Sequence, residues 1–505
     1  MRPEVLGRKS ALVLAMFLCA PPLLAPAASR AQVPAPPPVS AEQAATLQTG
    51  LRGWIAGLFP LLLAPAAVPL DITADGGHYR AALDLAAFPD VAAGPDTALT
   101  AFLSPLADGR WQVDDIRMPS PFAIEAEGPE GPFATRLAVA GQKAGAVVDP
   151  SGRTPSRYSG TFGAIVGTSD GPAGTATTRM DRAAFDTTFT PAGPGVFDYA
   201  ASATMEGYRS RQTLPRGLTV AYAVKKIVST GRLSGLDTAD LRGLLADAAA
   251  LLAPAQPLTP ASTGVSPGAA AARRAAAHRL LGDLAGLFVS ADARQTWSGV
   301  TFRSGTVSGA IGAVSLGTAM AAPAGKAELR LRLALSGLVP DDATAAELGP
   351  FVPTGIVIAP SLRGVAKPAL VAFLSRGIDE AANPRADLSA EAWGFLARHP
   401  VDVGLDEVRA DFPGFAVAGH GRVSIASPTD IAGHALVRVT GMDALMRAVR
   451  HSPQAGRLLP ALILLRGLGK TEGKATVWRI AYAGHKIAIN GTDLSSLTGP
   501  RPPAR

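Results

Sequence analysis

The chain has almost no cysteine: Cys19 is the single one among 505 residues. It sits in the N-terminal apolar run, so everything after it lacks a thiol, which excludes disulfides, Cys-ligated metals and a Cys nucleophile. Aromatic residues are scarce at 6%, too few for the aromatic girdles of an outer-membrane barrel. Charge is sparse at 17%, with 47 Lys and Arg against 40 Asp and Glu. No run of five basic residues occurs, so the basic pI is not a nucleic-acid footprint. No glycine period, long heptad array or series of ~20-residue apolar stretches is present, which excludes collagen, a coiled coil and a polytopic membrane protein.

What is present is apolar and rich in turn residues. Hydrophobic residues make up 48% of the chain, enough to offset the ordering entropy of folding. Gly and Pro, at 54 and 43 residues, supply about a fifth of it. Arg2, Arg8 and Lys9 precede an apolar run from Ala11 to Ala25, broken by Pro21 and Pro22 and followed by Ser29 and Ala31. A basic start, a short apolar core and small residues at the −3 and −1 positions read as a signal peptide over 1–31, and hence an exported, periplasmic protein. Its removal leaves 474 residues with a net charge of about +4.

Val33–Val39 is a Pro-rich spacer. Ser40 and Gln43 form a capping box ahead of Ala44, Leu47, Leu51, Trp54, Ile55 and Leu58, predicting a helix over 41–59 that packs on the sheet that follows. From Leu70 to about Ser229 alternation dominates, as in His78–Leu85, Trp111–Ile116, Ala134–Val139 and Leu218–Val224. Gly, Pro and Asp turns separate these runs, which predicts an antiparallel sheet buried on one face. A helix is expected over 237–252, then an uncharged Pro-rich linker or loop over 253–268, then a second helix over 269–288. Strands around 295–302, 306–313 and 327–335, a helix at 368–379, strands at 415–425 and 434–439 and a hairpin over 476–490 complete the pattern. The expected fold class is α+β and β-rich: large curved antiparallel sheets with a few packing helices, in two similar-sized halves. These are an N-terminal β-rich half over 32–252 and a C-terminal α+β half over 269–498, with a disordered tail over 499–505.

A local motif recurs at Ser234-Gly235-Leu236-Asp237, Thr440-Gly441-Met442-Asp443 and Asn490-Gly491-Thr492-Asp493, with a looser copy at Ser336-Gly337 and Asp341. Its reading is a strand exit: Gly takes the positive φ and Asp caps the next helix. Gly167-Thr168-Ser169-Asp170-Gly171 matches the nucleophile elbow, but Pro172 and Gly174 follow where a helix is required, so it reads as a hairpin turn. Gly469-Lys470-Thr471 lacks the first glycine of a phosphate loop. The seven histidines form no H-x-H or H-E-x-x-H; His420 and His434, on adjacent strands, are the nearest to a pair. Asp114-Asp115 and Asp341-Asp342 point to opposite faces or lie in turns. The apolar run Leu458–Leu465 is too short to span a bilayer and reads as a buried helix or a groove lining.

The last ninety residues have a characteristic order: a strand with Gly419-His420-Gly421, a strand into Thr440-Gly441-Met442-Asp443, a short helix, an apolar helix and a hairpin ending in Asn490-Gly491. Together with Asp108–Asp115 and Pro119-Ser120-Pro121, this resembles bacterial envelope proteins with AsmA-like character. The resemblance implies a periplasmic, β-rich fold with an elongated apolar groove, and a role in lipid handling or envelope homeostasis. It carries over no catalytic residues. The expectation is therefore a non-enzymatic envelope protein binding lipid or another apolar ligand in a β-sheet groove, with no catalytic, cofactor or metal residues. Its expected partners are lipid or envelope proteins, not nucleic acid; no transmembrane segment follows the signal, and peripheral membrane contact remains open. The alternatives are a secreted serine-type hydrolase centred on Ser169 and a purely structural or assembly protein.

Overall fold

The computed structural model of the protein describes residues 38–58, 67–87, 91–92, 97–128, 131–149, 154–172, 174–215, 217–237, 247, 267–305, 307–322, 325–342, 345, 349–380, 388–427, 430–452, 456–484 and 486–494. The predicted signal peptide, most of the 253–268 linker, the tail and all of the 237–252 helix except Asp237 and Asp247 lie outside them. Strand dominates, every described pairing is antiparallel, and six described α-helices accompany the open sheet. The fold is α+β and β-rich, as the alternation predicts. Compactness divides the chain into Met1–Val289 with Phe302–Thr306, and Ser290–Thr301 with Val307–Arg505.

The first unit holds helix α1 (Ala41–Leu58) and strands β1 (Leu70–Asp75), β2 (His78–Asp84), β3 (Val91–Ala92), β4 (Ala98–Pro105), β5 (Trp111–Arg117), β6 (Phe122–Gly128), β7 (Gly131–Val139), β8 (Lys143–Asp149), β9 (Thr154–Phe162), β10 (Ile165–Gly171), β11 (Gly174–Met180), β12 (Arg182–Gly193), β13 (Val196–Thr213) and β14 (Thr219–Asp237), then helix α2 (Pro267–Gly286). Strand β13 runs 18 residues and organises the sheet: β14 follows it on one side, while the other side takes β12 against Val196–Glu206 and β11 against Arg209–Thr213. The sheet therefore forks there, one arm running β12-β9-β8-β5-β4-β2-β1 and the other β11-β10-β7-β6-β3.

Helix α1 covers the first arm. Ala44 and Ala56 are buried with Val68, Leu70, Ile72, Tyr79, Leu103 and Val113, and Leu47, Leu51 and Ile55 pack beside them. The capping box is present in altered form. Ser40 Oγ accepts the amide of Gln43 (3.2 Å), but the Ser40 amide donates to the hydroxyl of Tyr79 (3.1 Å), which donates to Gln43 Oε1 (2.7 Å). A fully buried tyrosine from β2 thus closes the box and pins the helix start to the sheet. At the other end of the contact, the Ile72 amide donates to Gln48 Oε1 (3.0 Å) and Arg52 donates twice to the Leu70 carbonyl. Strand β1 has β2 as its described partner, and these contacts engage the Leu70 carbonyl and the Ile72 amide of its open side.

The second unit is a meander. Strand β15 (Ser290–Ser304) contributes residues to both units. Then come β16 (Val307–Ala321), β17 (Lys326–Pro340), β18 (Gly355–Ala366), helices α3 (Lys367–Glu380) and α4 (Leu388–Arg398), β19 (Val401–Phe412), β20 (Phe415–Ile425), β21 (Ile431–Thr440), helices α5 (Met442–His451) and α6 (Leu459–Leu468), β22 (Lys470–Glu472), β23 (Ala475–Ala483), β24 (Lys486–Ile489) and β25 (Thr492–Asp493). Each strand from β16 to β21 pairs with the next, and β23 takes β21, β22 and β24 as neighbours. Helices α3 and α4 seat Phe373, Leu370 and Phe395 on Val365 and Val401. Helices α5 and α6 seat Met442, Met446, Leu459 and Leu462 on Val439, Trp478 and Ile489.

The recurring Ser/Thr-Gly motif divides into different devices. Gly441 (φ 74°) does end β21 and is itself the N-cap of α5; Asp443 lies in the first turn and pairs with Arg466 (2.8 Å) instead of capping. Gly235 (φ 66°) stays inside β14, at a bulge where Phe197 faces Leu236 and Tyr199 faces Leu233. Gly337 likewise lies within β17. Asn490 and Gly491, both at positive φ, make the two-residue turn between β24 and β25, so Asp493 lies in a strand, not before a helix. The sequence does not separate these devices, because leaving a strand and kinking one place the same demand on glycine.

Replacing Tyr79 with Phe removes the hydroxyl that joins Ser40 to Gln43 and is expected to cost about 1–2 kcal/mol. Urea denaturation of the full chain reads this as a lowered midpoint; an unchanged midpoint contradicts the bridging role.

Candidate functional site

Side chains alternate across a strand, so the register of the second unit assigns each residue to a face. In β17, Leu329, Leu331, Leu333 and Leu335 share one face. Leu333 is opposite Leu316 on β16 and Ile358 on β18, and Leu329 is opposite Met320 and Leu362. Ile358 and Leu362 face Val408 and Val403 on β19, and Val403 faces Val423 on β20. The same face continues through Val417, Gly419 and Gly421 to Val439, Val437 and Ala435 on β21, then to Trp478 and Ile480 on β23 and Ile489 on β24. One apolar surface thus crosses the whole meander.

Among the described residues, helices cover its two ends, around Val401 and Leu362 at one and around Val439 and Trp478 at the other. Between them Leu316, Met320, Leu331, Leu333, Ile358, Val403, Leu405 and Val423 remain 37–45% exposed. Small residues lower the middle of this floor: a β-carbon on Gly421 or Gly433 would lie 3.0 Å from Ala435 Cβ or Val423 Cγ2 respectively.

The opposite face carries the charges. Arg363 joins Glu328 (2.8 Å) to Asp406 (2.7 Å); Arg330 also holds Glu328 (2.7 Å), and Arg332 reaches over β18 to Glu407. Ser361 donates to Asp406 Oδ1 (3.1 Å). The stems of these long side chains lie over the sheet, so Ser361 and Ala359 on the charged face are only 5% and 9% exposed. Asp406 is the extra residue of a bulge in β19, since Ala359 faces Glu407 while Pro360 faces Leu405. The Arg330 hydrogen bond, reinforced by Arg363, holds the Glu328 carboxyl below the ordinary carboxylate range.

In the first unit, a trough of about 820 Å³ lies on the sheet, lined by Gln112, Asp114, Lys143, Arg157 and Asp186 together with Val147 and Phe185 among others. Two pairs of its polar groups join: Arg157 with Asp186 (3.1 Å), and the Gln112 amide, which donates to Asp114 (2.9 Å).

The motif residues do not converge on a reactive centre. Ser169 lies inside β10, not in the hairpin turn to which its motif was assigned. Its strand runs to Gly171, which faces Gly174 at the end of the hairpin. Ser169 Oγ accepts from Thr135 Oγ1 (3.2 Å) on β7, a cross-strand hydroxyl pair of the kind that stabilises sheets. His420 faces Leu436 and His434 faces Arg422, so the two histidines are not directly opposed. Among the described residues no group of three or more His, Cys, Asp and Glu is placed to hold a metal ion. No described helix is long and apolar enough to cross a membrane. Comparison with family models, with curated proteins and with solved structures finds no match.

Because Glu328 titrates below its ordinary value of 4.5 in the folded chain, its contribution to stability is complete above that value. It is lost as pH falls through the lowered value. The Glu328→Gln variant is expected to be less stable than the parent at pH 7, with a smaller further loss of thermal midpoint between pH 5 and 3. Parallel melting curves at the two ends of that range check this, and identical pH slopes contradict it.

Proposed function

We propose that this is a non-enzymatic protein of the bacterial periplasm that binds lipid acyl chains on the open apolar face of its second unit. The observation that carries the reading is the accessible apolar face of one sheet. Eight large apolar side chains on that face stay accessible, while the charges of the other face pair with one another across the strands. An ordinary one-sided sheet buries its apolar face and wets its polar one. Contiguous exposed apolar surface marks a binding site.

The geometry favours a chain over a compact ligand. The exposed positions span five adjacent strands, β16 to β20, a strip roughly 20 Å wide at about 4.8 Å per strand, with shallow ground along Gly419, Gly421 and Gly433. Covering what remains accessible on eight such side chains is worth on the order of 5 kcal/mol before the costs of association. That suits a carrier that loads and releases its ligand. The AsmA-like order of the last ninety residues and the signal-like N-terminus support the placement in the envelope.

Full-length protein purified from envelope extracts is expected to carry phospholipid or fatty acid in native mass spectrometry, and the delipidated chain to bind a fluorescent fatty acid. Leu333→Glu combined with Val403→Glu should weaken that binding at least tenfold. The thermal midpoint should shift little, because both side chains are already accessible. Absence of lipid in the native spectrum together with equal probe binding by parent and variant overturns the reading.

A further inference from the structure

Helix α6 and the turn before it present a second apolar surface, separate from the sheet face, with the charged outer side of α5 beside it. Both helices bury one side in the same cluster: Met442, Met446 and Val449 of α5 are buried, and Leu459, Leu462 and Leu468 of α6 pack against Val439, Trp478 and Ile489. Their outward sides therefore point away from the sheet together. On α6 and the turn before it, that outward side is Leu458, Ile463, Leu464 and Leu465, of which Leu458, Ile463 and Leu464 are more than half exposed. The apolar run expected to be a buried helix or groove lining has no buried residue at all.

The helix is firmly seated from below. Its C-terminal carbonyls are held by Trp478 Nε1 on Leu465 (2.7 Å) and by the Asn490 amide on Leu468 (2.7 Å). Asn490 also accepts from the Arg479 amide (2.9 Å). A β-carbon on Gly469 would overlap Thr476, so the chain leaves the helix pressed against β23. An anchored helix that turns a row of leucines and an isoleucine outward is a built surface.

Charge says what it faces. The segment 442–468 holds four arginines and one aspartate. Asp443 is taken by Arg466. Arg447, Arg450 and Arg457 are exposed, and none of them has an ion pair among the described residues. Ten residues of helix cannot span a bilayer, but an apolar helix face flanked by unpaired arginines suits the plane of an anionic membrane. We propose that α5 and α6 dock the protein on an anionic lipid bilayer. Leu458, Ile463 and Leu464 enter the acyl boundary, and Arg447, Arg450 and Arg457 meet the headgroup phosphates. This stands independently of what the sheet carries.

Flotation of the full chain with vesicles tests it. Binding is expected to vesicles of phosphatidylglycerol and phosphatidylethanolamine, to weaken with added salt, and to be slight with phosphatidylcholine alone. Ile463→Asp with Leu464→Asp should lower partitioning at least tenfold. Replacing Arg447, Arg450 and Arg457 together with Gln should lower it roughly a hundredfold on anionic vesicles. Leu333→Glu with Val403→Glu should leave it unchanged, which separates this surface from the acyl-chain face. Equal binding to neutral and anionic vesicles overturns the proposal. So does a lack of vesicle binding, including the case where sedimentation shows a dimer that Ile463→Asp dissociates, since the occupant is then a second copy of the chain.

Discussion

The constraint on which the second unit depends is that a β-sheet has two faces and this sequence satisfies only the charged one from within. Arg363, Glu328 and Asp406, with Arg332 and Glu407, bridge neighbouring strands and cover the residues beneath them. Exposed ion pairs contribute little to stability one at a time. Here their consequence is one of coverage: aliphatic stems lie over Ala359 and Ser361, while the described helices shield the two ends of the apolar face. The accessible strip between those ends follows from having few helices for a wide sheet.

Bulges help to shape that surface. An extra residue bends its strand and increases the local twist, and Asp406 is such a residue, fixed by Ser361 and Arg363. The bulge places Asp406 among the charges while Leu405 and Val408 on either side both remain on the apolar face. The charged and apolar faces are therefore coupled: removing the partners of Asp406 would release the irregularity that keeps β19 in step with β18 and β20.

Much of the architecture was legible in the sequence. Ser40 and Gln43 announce α1 and the stripe after them gives its buried side; the strand over Phe415–Ile425 shows in full as alternation. Strands β18 and β19 were not legible. Pro360 and Gly364 interrupt the first, and the extra Asp406 shifts the period of the second, so neither displays an unbroken alternation. The polar closure of α1 was half visible, because Ser40 and Gln43 are local while Tyr79, which joins them, is 39 residues from Ser40. The open face was the least legible feature of all. Alternation tells which side of a strand is apolar, but whether another element covers that side depends on where the helices land. The outward leucines of α6 were obscured for the same reason: an apolar run looks the same whether it is packed or presented.

The accessible strip can be probed directly because the chain has no cysteine after Cys19. With Cys19 removed, a single Leu333→Cys substitution places a thiol at the centre of the strip, where a maleimide reagent reports its exposure. The account predicts rapid labelling of delipidated protein and strong protection when a long-chain fatty acid is added. A thiol that is inert without ligand, or one that labels at the same rate with and without it, would contradict it.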